Sequence, residues 1–155
     1  MSPSVRVVVS QRFAVPAESV FDAWLDPEWI GRGVTGRTVR DERVVRREFE
    51  PHVGGRISFA VERQGVEVDH VGKYLELDRP GLLVFTWTAL DTLPDTSRLI
   101  VEIIPSVGGC DLTLTHVMSG NDAAFTDQAA GSWRKMLRAL ADELLEKNIS
   151  TLNVS

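Results

Sequence analysis

Leu112-Thr113-Leu114-Thr115-His116 sets Leu112, Leu114 and His116 on one face of an extended chain. A few residues on, Phe125, Ala129, Trp133, Met136, Leu137, Leu140 and Leu144 fall on one stripe of a helix. This switch from period 2 to period 3.6 decides the fold class, because it ends a run of strands in one long helix. Asn121-Asp122 supply capping side chains, and the pattern predicts a helix from about Asp122 to Lys147. About 26 residues at 1.5 Å each reach about 39 Å, so such a helix crosses a whole sheet.

Working back from that helix, Leu99-Ile100-Val101-Glu102-Ile103 repeats the strand pattern. Strands are predicted over Val5–Phe13, Arg43–Phe49, Arg56–Glu62, Glu67–Leu77, Leu82–Thr88, Arg98–Ile104 and Asp111–Met118. Gly54-Gly55, Gln64-Gly65, Pro80-Gly81 and Gly108-Gly109 separate them and provide the backbone freedom of tight turns. Strands joined this closely pair as antiparallel neighbours. Between the first two strands, Pro16 opens a helical segment whose Val20, Phe21, Trp24 and Leu25 share one face, and Asp26-Pro27 ends it. Pro27-Glu28-Trp29-Ile30 reads as a second short helix closed by Gly31 and Gly33. The expected architecture is α+β: a strand, two short helices, about six strands and a long C-terminal helix, with its core over about residues 5–147 of a single domain spanning 1–155.

The composition fits an ordinary folded domain, with 155 residues, 43% apolar and 25% charged. A net charge of −5 opposes nucleic-acid binding, which requires a concentrated basic surface. Seven of the fourteen arginines lie between Arg32 and Arg56, but Asp41, Glu42, Glu48 and Glu50 interleave with them, and solvated strand faces account for the pattern. Cys110 is the only cysteine, so neither an intrachain disulfide nor a cysteine-built zinc site can form. The start Met1-Ser2-Pro3-Ser4-Val5-Arg6 carries no secretory pattern and Val7-Val8-Val9 is too short to span a bilayer, which leads us to expect a cytoplasmic protein without a membrane span.

Six pieces of the chain appear in one order: Glu18-Ser19-Val20-Phe21-Asp22-Ala23-Trp24, Asp26-Pro27-Glu28, Val53-Gly54-Gly55, Leu83-Val84-Phe85-Thr86-Trp87, Asp111-Leu112-Thr113-Leu114-Thr115-His116 and Gly131-Ser132-Trp133. Together they resemble the activator of heat-shock-protein-90 ATPase homologue family, within the START-like, pollen-allergen-like (SRPBCC) superfamily. The resemblance covers about residues 5–146. It implies a helix-grip fold, in which a curved antiparallel sheet packs around the C-terminal helix and encloses an internal cavity. Members usually carry a polar or charged pair after the histidine of the last strand, where this chain has Val117-Met118, and many place Trp directly after the helix glycine, where Ser132 intervenes here.

Strand alternation directs Ile57, Phe59, Leu83, Phe85, Trp87, Leu112, Leu114 and His116 toward Trp133, Met136, Leu137 and Leu140 of the helix. The expected ligand-binding set is Trp29, Phe59, Phe85, Trp87, Leu114, His116, Trp133, Met136 and Leu140, with Trp29 at the mouth. The expected ligand is a small hydrophobic or amphipathic molecule, held without a cofactor or metal. An enzymatic alternative uses the same cavity as a polyketide or aromatic cyclase or hydrolase, with His116 or Glu48 as the proton carrier. His52 and His70 have no catalytic spacing to a partner, and Asp69 points to the opposite face of its strand from His70. No HExxH, GxSxG or phosphate-loop motif occurs. A co-chaperone-like role, implied by the family name, ranks last, since the chain is expected to lack the additional N-terminal domain of eukaryotic co-chaperones; a homodimer is left open.

Overall fold

The computed structural model describes residues 4–26, 43–63, 65–89, 97–119 and 126–153. The expected second short helix, with Trp29, Gly31 and Gly33, lies outside the described residues, as do the caps Asn121 and Asp122. The strands are β1 (Ser4–Phe13), β2 (Arg43–Phe49), β3 (Arg56–Arg63), β4 (Val66–Asp78), β5 (Leu82–Ala89), β6 (Ser97–Ser106) and β7 (Gly109–Ser119). The helices are α1 (Ala17–Leu25), between β1 and β2, and α2 (Thr126–Asn153), after β7. Strand bounds fall within two residues of those expected. Helix α2 runs six residues past the expected end at Lys147, because neither glycine nor proline follows Gly131 to stop it.

One seven-stranded sheet has the order β1-β7-β6-β5-β4-β3-β2, antiparallel throughout. Strands β2 to β7 form a meander, and β1 returns to pair with β7 from Ser4↔Ser119 to Phe13↔Cys110. The sheet is curved and grips the C-terminal helix, the α+β helix-grip architecture. Its inner face contributes Val7, Val9 and Phe13 from β1, Leu99, Val101 and Ile103 from β6, and Cys110, Leu112 and Leu114 from β7, all buried in one core. Met136, Leu137, Leu140 and Leu144 bring the apolar stripe of α2 into that core, and the helix lies closest to β1. Helix α1 buries Val20, Phe21 and Trp24 in the same core.

Three devices fix the connections. In the β2–β3 loop, Gly54 takes φ +84°, and its N–H donates to the Tyr74 carbonyl at 2.8 Å while Tyr74 N–H donates to the Gly55 carbonyl at 3.0 Å. At the β6–β7 turn, the Arg12 guanidinium donates to Ser106 Oγ and the Val107 carbonyl and pairs with Asp111 at 3.4 Å. Arg79, in the β4–β5 turn, donates through Nε and a terminal nitrogen to both Asp22 carboxylate oxygens at 2.9 and 3.0 Å, joining that turn to α1. The hydrogen bonds from Arg79 hold the Asp22 carboxyl below its ordinary value.

Two glycines have opposite roles. A Cβ at Gly72 in β4 would lie 1.9 Å from the Thr86 carbonyl oxygen, whereas one at Gly131, on the exposed side of α2, would meet nothing within 4 Å. Gly72→Ala is expected to cost about 2 kcal/mol through forced separation of β4 and β5. Gly131→Ala is expected to add about 0.5–1 kcal/mol by removing backbone freedom from the unfolded chain. Urea unfolding midpoints of the two variants measure both.

Candidate functional site

Away from β1, the inner face of the sheet meets the helices through aromatic rings. Trp24 of α1, Phe49 of β2, Ile57 of β3, Tyr74 of β4, Phe85 and Trp87 of β5, Leu99 of β6 and Trp133 of α2 line one cleft. Six of these eight side chains are aromatic. Phe85 is the hub, with ring centroids 6.2 Å from Trp24, 6.3 Å from Tyr74 and 6.4 Å from Trp87. Trp24 in turn lies 6.4 Å from Trp133, joining the two helices across the cleft. Each such pair adds about 0.5–1.5 kcal/mol beyond the area it buries. The cleft amounts to about 310 Å³ counted to its open mouth. Its side chains close in until they leave room for about one water molecule. Anything larger would fit only if the rings at the half-buried positions, Phe49, Trp87 and Trp133, moved aside.

Tyr74 faces the cleft because of a register irregularity. The β4–β5 pairing shifts between Tyr74 and Glu76, so His70 and Tyr74 share the inner face with Leu77 despite their odd separation from it. Beyond Tyr74, the buried His70 ring stacks on Trp87 at 5.3 Å and 22°.

The polar atoms around the cleft are few and deeply placed. Trp133 Nε1–H donates to His116 Nδ1 at 3.0 Å, with the rings edge-on at 87°. An accepting Nδ1 places the proton of neutral imidazole on Nε2. Burial pushes His116 down from 6.5 to about 4, so the ring is neutral near pH 7. His116 Nε2, Trp24 Nε1 and the Tyr74 hydroxyl are buried with no hydrogen-bond partner among the described residues. Burial also raises the Tyr74 phenol above its ordinary value, keeping it protonated.

Of the residues expected from the sequence, Ile57, Phe85, Trp87 and Trp133 line the cleft together. His116 touches it through Trp133, which it orients. Leu114, Met136 and Leu140 are buried in the adjoining core and are not among the lining residues. Phe59 pairs in register with His70, and its side chain lies outside the description, as does the whole of Trp29. Glu48 is exposed on β2, directed away from its neighbour Phe49, and four strands separate it from the His116 strand. The two candidate proton carriers therefore share no site. Sequence reasoning did not select Trp24, Phe49, Tyr74 or Leu99 for the site. Among the described residues no group of three or more His, Cys, Asp or Glu is placed to hold a metal ion, and no helix is long and apolar enough to cross a membrane.

The depressed His116 value makes stability depend on acidity. The unfolded chain binds a proton near 6.5 and the folded ring only near 4, so stability is complete above about 6.5 and is lost as pH falls toward 4. Between pH 7 and pH 5, above the range of ordinary carboxylates, this one ring is expected to remove about 2 kcal/mol. Urea unfolding at both pH values reads the loss, and His116→Gln, whose amide oxygen still accepts from Trp133, is expected to flatten it.

The comparisons with known proteins agree with this fold. No curated protein matches the chain. A Chromobacterium violaceum crystal structure superposes with TM-score 0.77 at 22% identity, covering 90% of this chain and 96% of the other. A Rhodobacter sphaeroides crystal structure gives 0.78 at 20% identity, covering 91% and 92%. A Staphylococcus aureus protein of unknown function gives 0.79 at 12% identity, covering 96% and 98%. At such identities these likenesses speak to fold. Residues 14–145 match the family model described as activator of Hsp90 ATPase homolog 1-like protein, and the chain, with its helix-grip fold, belongs to that family.

Proposed function

We propose that this domain is a container that binds a small apolar or amphipathic molecule in the aromatic cleft between the sheet and the two helices. Membership of its family supports a ligand-binding type of domain. The observation that carries the reading is the lining itself: six aromatic side chains drawn from five different elements around one opening. Buried aromatic walls with a few placed polar atoms are the common form of a small-molecule site. The described side chains leave room for about one water molecule, so a molecule of ordinary ligand size would enter as the half-buried rings of Phe49, Trp87 and Trp133 move aside.

The same geometry favours holding over acid–base chemistry. Among the described residues the lining carries no carboxylate, lysine, arginine or histidine, and its phenol stays protonated. General acid–base catalysis needs a group that exchanges protons near the working pH and reaches the substrate. His116 instead spends its Nδ1 on Trp133.

Purified protein analysed by native mass spectrometry, before and after solvent extraction, is expected to release a small apolar molecule or to take one up from an aromatic and lipid panel with a raised melting temperature. Phe49→Trp, at the half-buried rim, is expected to weaken uptake about tenfold while the fold persists, by filling the space. Absence of both release and uptake overturns the container reading.

A further inference from the structure

We propose that the outer face of the sheet, on the side away from the cleft, is a contact surface for a second copy of this chain, related to the first by a two-fold axis that crosses the strands at Ile100. An antiparallel sheet with one face on a core ordinarily turns polar side chains to water on the other. Here the registers place Val8, Thr115, Ile100 and Val84 in one row across β1, β7, β6 and β5, with Val117 and Leu82 beside it. Val8 is 57% exposed, and Ile100, Val117 and Leu82 are half-buried around the more shielded Thr115 and Val84.

The charges that flank this row decide what fits it. Arg98 and Glu102, both exposed, stand on the same face of β6 about 7 Å to either side of Ile100. Lys73, whose N–H donates to Thr86 Oγ1 at 2.9 Å beside Arg98, extends the basic flank, and Asp78, paired with Leu82, extends the acidic one. A half-turn about the apolar row exchanges the flanks. Arg98 then meets Glu102 of the second copy and Glu102 meets its Arg98, Lys73 and Asp78 exchange in the same way, and Ile100 packs on its own counterpart. A half-turn about a strand would instead lay the basic row on the basic row. An acidic partner would be repelled by Glu102 and Asp78, whereas a second copy answers both flanks. Glu76, opposite Val84, ends the row on β4, where the curvature of the sheet carries the two copies apart. Contact centred on β6 buries less than the about 800 Å² per partner of a standard interface, so the dimer is weak, with a dissociation constant on the order of 10–100 μM. Both clefts stay open on the far sides.

Sedimentation equilibrium from about 5 μM to about 500 μM protein is expected to show this dimer. Arg98→Glu and Glu102→Arg each bring like charges together and are expected to weaken it about tenfold or more, with melting temperatures unchanged because both positions are exposed. Mixing the two variants, one carrying a fluorescent label, is expected to restore association to within about threefold of the parent. In the mixed pair the reversed positions face each other with opposite charges, as do the native ones. The double reversal in one chain is expected to dimerise as well, and Ile100→Ser to weaken every pairing without a change of charge. A monomer at every concentration, a dimer that neither reversal weakens, or two weakened variants that stay apart when mixed overturns the proposal.

Discussion

A single helix is narrower than the sheet it must cover. Seven strands about 4.8 Å apart span about 29 Å, while a helix with its side chains is about 10–12 Å across. Curvature reduces this mismatch without removing it. Helix α2 lies closest to β1 and seals that side with Met136, Leu137, Leu140 and Leu144. Toward β2, among the described residues, large rings do the covering. Trp24 and Trp133 reach from the two helices to Phe85 and its neighbours. Among the described residues, the aromatic character of the cleft follows from the distance the side chains must bridge.

The Trp133–His116 hydrogen bond joins the two sides of this arrangement. It ties the middle of α2 to the inner face of β7, and it sets the neutral ring with its proton on Nε2. A protonated ring could not accept from the indole, so the contact and the depressed basicity sustain each other. His116 is therefore a positioning residue for one wall. Leu112 and Leu114, on the same face of β7, fill core instead.

The order of elements was legible because alternation and helical stripes are local, and turn glycines mark their limits. Alternation along β7 put Leu112, Leu114 and His116 on one face, where the register with Val7 and Val9 has them. Which part of that face stays uncovered is set by the seat of α2, a relation between residues far apart in the chain. Leu99 and Leu114 therefore look alike in the sequence, although one lines the cleft and the other does not. Tyr74 was hidden for a different reason. The register shift beside Glu76 reverses the parity of β4, so strict alternation counted back from Leu77 turns Tyr74 outward. The contact from Trp133 to His116 spans 17 positions, and no local pattern announces it.

The pairing of the first strand with the last carries a consequence for how the molecule comes into being. Strands β2 to β7 can zip together as successive hairpins while synthesis proceeds, but β1 finds its neighbour only when residues 109–119 have left the ribosome. Until then Val7 and Val9 wait as an unmatched apolar edge, separated from their eventual neighbours by a loop of about a hundred residues whose closure is entropically slow. The newborn polypeptide is therefore most exposed to stray association during that interval, and its native edge is completed late in translation.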